Sequence, residues 1–185
     1  MRRLAIVMLC LGAACGPAEQ GEPGEQGPQG EPGPQGPVGP ASTAGATMFE
    51  VVGTGQLEVT AATDYTLIPG LTLTMSVPSG AKVRVDTNGG LQCTAAGAAY
   101  SVVDVAVFVD GAISQAQRRV VAANTDAVGQ MLASWSFGRV LAIPGGTHTI
   151  EVRAAGADGG MVTANISSAS TPQLQGVMTV TTLHE

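Results

Sequence analysis

The sequence predicts an all-β protein: a single antiparallel β-sandwich over residues 42–185, preceded by an extended stalk of Gly-X-Y triplets over residues 21–41. Three observations predict this. Glycine recurs at every third position from Gly21 to Gly39. From Ser42 onward proline becomes rare and Val, Thr and Ala dominate, in short β-type runs separated by turn residues. Nowhere does a well-capped apolar pattern of helical period persist for a helix's usual length.

Composition narrows the function classes. Charged residues make up 12% and aromatics 3%, which counts against long surface helices and aromatic ligand platforms. The net charge of −6 argues against nucleic acid as a partner, because phosphate contacts need clustered Lys and Arg. Two His and three Cys, widely scattered, leave little material for a catalytic or zinc site, and no cofactor is expected.

Residues 1–14 read as an export signal. Arg2 and Arg3 supply a positive start, Leu4 to Leu11 an apolar run, and Gly12-Ala13-Ala14 the small residues at which a signal peptidase cuts. The run is far shorter than the roughly 20 residues that span a bilayer as a helix. Cys15 follows at once, and this arrangement resembles the lipobox of bacterial lipoproteins, although Gly12 stands where that family usually has Leu. The resemblance implies cleavage before Cys15, lipid attachment there, and a membrane partner reached through that lipid. Ordinary signal peptidase cutting after Ala14 would leave the same N-terminus without lipid. Residues 15–20 are then a short linker.

The triplets GEP, GEQ, GPQ, GEP, GPQ, GPV and GPA follow, led by Gly21, Gly24, Gly27, Gly30, Gly33, Gly36 and Gly39. Three polyproline-type chains wind together only where the axial position lacks a side chain, so glycine must fill it every time. Proline at the other positions presets φ and lowers the entropy lost on ordering. The segment resembles the stalks of bacterial collagen-like proteins. Its acids Glu22, Glu25 and Glu31 have no Lys or Arg among them, so three copies side by side would gather like charges without an internal partner. Such a stalk needs a trimeric head to hold it in register; otherwise it is a single-stranded Pro/Gly tether. Extended, it reaches about 65 Å at ~3.1 Å per residue.

The clearest β runs are Leu57 to Ala61, Leu71 to Val77, Ala81 to Thr87 and Ser101 to Val109. Gln117 to Ala123, Leu132 to Ile143, Thr147 to Ala154, Met161 to Ser167 and Gly176 to Leu183 complete about nine strands. In Thr147 to Arg153 one face carries His148, Ile150 and Val152, the other Thr149, Glu151 and Arg153. Val103, Val105, Val107 and Val109 form a second period-two series, and Asp110-Gly111 beyond it has the chemistry of a tight hairpin. Pro78-Ser79-Gly80, Asn88-Gly89-Gly90, Pro144-Gly145-Gly146 and Asp158-Gly159-Gly160 are read as turns between the other runs. Strand number and spacing suit a jelly roll or related Greek-key sandwich. The immunoglobulin fold is the main competitor, but Cys93 is the only cysteine of this region, so the Cys…Trp…Cys signature is absent. A collagen-like stalk entering such a head resembles bacterial collagen-like proteins with C1q/TNF-like heads, which implies a homotrimer.

Few side chains qualify as site candidates. His148 lies on the inward face of its run and reads as a hydrogen-bonded core or interface group; His184 is penultimate. Cys93 is expected to be a small buried hydrophobe rather than an interchain disulfide. Asp86 and Asn88 carry the oxygen ligands calcium prefers, beside an expected turn. Arg118-Arg119 reads as a charged sheet edge. Trp135 and Phe137, two apart, share a face that is either core or a shelf for sugar rings. Asn165-Ile166-Ser167 matches the glycosylation tripeptide.

The expected protein is therefore non-enzymatic, exported and anchored at a bacterial membrane or cell surface, presenting its head to an unidentified surface ligand. The alternative is a monomeric carbohydrate- or calcium-binding module on a flexible tether. An exposed apolar stripe would favour the trimer. A pocket joining His148 to a carboxylate would bring an enzyme back into consideration.

Overall fold

The computed structural model describes residues 45–183. The export signal, Cys15, the seven stalk glycines and His184 lie outside the described residues. Ten strands follow one another: β1 (Ala46–Val52), β2 (Leu57–Val59), β3 (Thr66–Val77), β4 (Lys82–Cys93) and β5 (Ala99–Val109), then β6 (Ala112–Asn124), β7 (Leu132–Leu141), β8 (Gly146–Gly156), β9 (Ala164–Ile166) and β10 (Val177–Leu183). The domain is all-β among the described residues, and every strand pair is antiparallel.

The strands form two sheets. One has the order β1-β10-β4-β9-β2, with β7 on the other side of β4; the second has the order β3-β8-β5-β6. β10 pairs with β4 over residues 82–88, and the short β9 takes over that side at residues 91–93. Among the eight longer strands the pairing is nested: β1 with β10, β3 with β8, β4 with β7, β5 with β6. First pairs with last and each inner strand with its counterpart, as in one long antiparallel ribbon rolled over on itself.

Alternation explains which face each strand buries. In β5, Val103, Val105 and Val107 are fully buried, while Asp104 between them points outward to Arg119 on β6. In β8, Ile150, Val152 and Ala154 are buried against them. The first sheet contributes Val83, Val85, Leu91, Trp135, Met178 and Val180 to the same core. Burying each such aliphatic side chain stabilises the fold by about 1.5–3 kcal/mol. The core is thus supplied from both sheets within residues 45–183.

The Asp110-Gly111 hairpin is as expected: φ is 50° at Asp110 and 77° at Gly111, the left-handed pair that this two-residue turn requires. Two expectations need correction. Asn88-Gly89-Gly90 is not a turn, because β4 runs straight through it. Gly89 lies under the Trp135 ring, which occupies the space a Cβ would need, and Gly90 donates to the Leu174 carbonyl at 3.0 Å. The glycines here admit neighbours rather than reverse the chain. The other correction is β1, a strand the sequence runs did not include. Six of its seven residues are exposed, so it carries no inside–outside alternation to read.

Candidate functional site

Two features of the surface stand out. The first is the outer face of the larger sheet. Strand register places Met48, Thr181, Arg84 and Val140 in one row across β1, β10, β4 and β7. The next rows are Glu50, Thr179, Asp86 and Gly138, then Val52, Val177, Asn88 and Ser136. Met48 is 69% exposed and Val140 50%, with Val52, Leu132 and Leu183 also exposed. Four strands at ~4.8 Å spacing put Met48 and Val140 about 14 Å apart. Between them in that row stand Thr181 and Arg84. This face also carries the Arg84–Asp86 ion pair. The outer face of the second sheet is charged as well. It carries the ion pairs Arg119–Asp104 and Arg153–Glu151, the Arg153 guanidinium also lying 4.7 Å over the Phe108 ring.

The second feature is a polar cluster at one end of the two sheets. Register aligns Val109 of β5 with Ile150 of β8, so the Asp110 turn meets the start of β8. Asp110 Oδ2 lies 2.7 Å from His148 Nδ1, and its Oδ1 accepts the Thr149 N–H at 2.8 Å. His148 Nε2 lies 3.0 Å from the Pro144 carbonyl. A carboxylate and a carbonyl only accept, so the ring completes both bonds when both nitrogens carry hydrogen. The bond from His148, then the Thr149 amide, hold the Asp110 carboxyl below the usual carboxylate range.

That cluster borders a cavity of about 530 Å³ between the start of β6 and the end of β7. A pocket bearing His148 and a carboxylate therefore exists. Both imidazole nitrogens have hydrogen-bond partners within the protein, so the ring clamps the Asp110 turn to the Pro144 carbonyl. The lowered Asp110 carboxyl makes a pH prediction. A carboxyl that titrates lower when folded stabilises the fold fully above its unfolded value, and this contribution is lost as pH falls through the lowered one. Asp110→Asn keeps the turn's left-handed tolerance but removes the charge. Its melting temperature is expected to fall below that of the parent at neutral pH, and the gap to close at pH ~2–3. A gap that stays constant with pH would show that the carboxylate charge contributes nothing.

The remaining candidates fall as follows. Asp86 takes two hydrogen bonds from Arg84, at 2.7 and 2.8 Å, and with Asn88 sits mid-strand on the outer sheet face. Among the described residues no group of three or more His, Cys, Asp or Glu is placed to hold a metal ion. Cys93 is free and fully buried on the inner face of β4. Trp135 is in the core and Phe137 packs against it half-buried. Arg119 is paired, and Arg118 beside it is exposed on the edge strand β6. Asn165 lies on β9 with Oδ1 buried and without a hydrogen-bond partner. Sequence reasoning missed Asp110 as a partner of His148, the apolar residues of β1, and the cavity-lining Ile113 and Arg139. Only β1 left a local signal, the run Met48-Phe49-Glu50-Val51-Val52.

No protein-family model matches this chain, and a search of curated proteins finds no match.

Proposed function

We propose that this chain is a non-enzymatic, exported structural or adhesive protein that presents its β head as a homotrimer on a collagen-like spacer. Lipid at Cys15 anchors it to a bacterial membrane or surface, residues 21–41 clear the surface layer, and the head meets a surface ligand. The observation that carries this reading is the exposed apolar set on the outer face of the larger sheet. β1 begins at Ala46, five residues after the last triplet, so three wound chains would bring three copies of β1 together near one axis.

Two further points support it. The nested pairing supports an eight-stranded jelly-roll reading of the head, the architecture expected from the resemblance to C1q/TNF-like proteins. The both-sided exposure of β1 leaves Phe49 as well as Met48 accessible, an edge that no other described residue covers and that a lone domain would ordinarily blunt. Three heads on one rod multiply weak contacts through effective concentration.

Sedimentation equilibrium on residues 16–185, with residues 42–185 alone beside it, tests the assembly. Three copies in both samples is the expected result. Single copies in both would overturn the trimer and leave a monomeric binding module on a Pro/Gly tether.

A further inference from the structure

The cavity between the start of β6 and the end of β7 has the composition of a ligand site. Val109, Ile113, Val140 and Ile143 give it apolar walls, and Arg139, His148 and Asp110 are polar groups on its lining. Its volume of about 530 Å³ is within the range of small-molecule sites.

A local irregularity helps to form it. Ala106 of β5 pairs with Gln117, yet Phe108 pairs with Ile113, so four residues of β6 span what two span on β5. The excess arches Ser114, Gln115 and Ala116 out of the ladder, and the Ser114 hydroxyl accepts the Ala116 N–H at 3.1 Å to hold the arch. Bulges of this kind bend a strand and redirect its side chains. Here Ser114 and Gln115 line the cavity.

Charge identifies the occupant. Asp110 also lines the cavity, and each of its oxygens already has one hydrogen-bond partner within the protein, His148 and the Thr149 amide. Arg139 differs from Arg84, Arg119 and Arg153, each of which has a carboxylate partner. Among the described residues no carboxylate lies within ion-pair distance of Arg139; one N–H reaches the Gln115 side-chain oxygen at 2.8 Å. A guanidinium has five N–H donors, so most remain for an incoming acceptor. An unpaired guanidinium beside aliphatic walls suits an anion with an apolar body.

We propose that this cavity binds a small organic carboxylate with an aliphatic chain, its carboxylate on Arg139 and its chain against Ile113, Val140 and Ile143. All lining residues belong to one chain, and one of them, Val140, also stands on the sheet face to which the proposed function assigns assembly, so Arg139 rather than Val140 is the residue that tests binding.

Octanoate is the probe, titrated into residues 16–185 and followed by amide NMR shifts and calorimetry, with octanol as the neutral comparison. One octanoate per chain is expected, with shifts confined to residues 109–115 and 139–148 and octanol at least tenfold weaker. Arg139→Gln is expected to lower octanoate affinity about tenfold and leave octanol unchanged. Arg139 is exposed, so the variant should melt as the parent does, and Arg139→Lys, which keeps the charge, should restore part of the affinity. Equal binding of octanoate and octanol, shifts elsewhere, no saturation by ~10 mM, or an unchanged Arg139→Gln would each overturn the proposal.

Discussion

Trp135→Ala is expected to destabilise the head by about 3–5 kcal/mol, the cost of emptying a large aromatic site in a packed core. Trp135 is the largest fully buried side chain of the described residues. Its ring lies over Gly89 and near Gly176, at positions where even one added carbon would collide with the core: a Cβ at Gly176 would stand 2.8 Å from Leu71 Cδ1. Its indole N–H donates to Thr87 Oγ1 at 3.1 Å, and the same hydroxyl donates to the Val177 carbonyl at 2.9 Å. One side chain therefore ties β7 to β4 and, through Thr87, to β10.

Three variants separate packing from hydrogen bonding. Trp135→Phe keeps much of the volume and removes the donor, so it should cost less than Trp135→Ala. Thr87→Val leaves the buried indole N–H without an acceptor and should cost about 1–3 kcal/mol. Trp135→Ala should lower the melting temperature by roughly 10–20 °C, at several degrees per kcal/mol for a domain of this size. Trp135 is the sole tryptophan, so melting of the alanine variant is followed by circular dichroism rather than fluorescence. A loss below ~1 kcal/mol would mean that the core closes over the gap and that the ring is not its keystone.

Trp135 also shows why parts of the fold were legible and others were not. The alternation of β5 and β8 could be read directly, because each strand has one face in the core and one in water. The Asp110-Gly111 turn could be read because its geometry depends on two residues alone. Gly89 and Gly90 misled because glycine has two structural uses, and the second depends on partners at Trp135 and Leu174, 46 and 84 residues further on. The clamp was illegible for the same reason. His148 and Asp110 are 38 residues apart, and only the β5–β8 register brings them together. Strand β1 was missed because a strand exposed on both faces has no periodicity. Its apolar residues become informative only after the register aligns Met48 with Val140.

Placing a carboxylate in that row is the strongest available test of the proposed assembly. Met48→Asp and Val140→Asp are each expected to convert residues 16–185 from three copies to one in sedimentation equilibrium. Both side chains are at least half exposed in the single chain, so neither change removes core packing and the melting of the isolated head should hardly move. Buried between copies, an unpaired carboxylate costs several kcal/mol, and threefold symmetry repeats that cost at every interface. The stalk could not compensate, since its seven triplets would gather unpaired glutamates in a wound state. Loss of assembly should also remove the multivalent gain in surface binding, on the order of 10²–10⁴. Val121→Asp is the matched control: Val121 is 55% exposed but stands on β6 of the second sheet. If it alone dissociates the protein, the interface lies on the second sheet and the role assigned to the β1–β7 face is wrong. If Val121→Asp leaves three copies while Met48→Asp and Val140→Asp give one, the outer face formed by β1, β10, β4 and β7 holds the heads together.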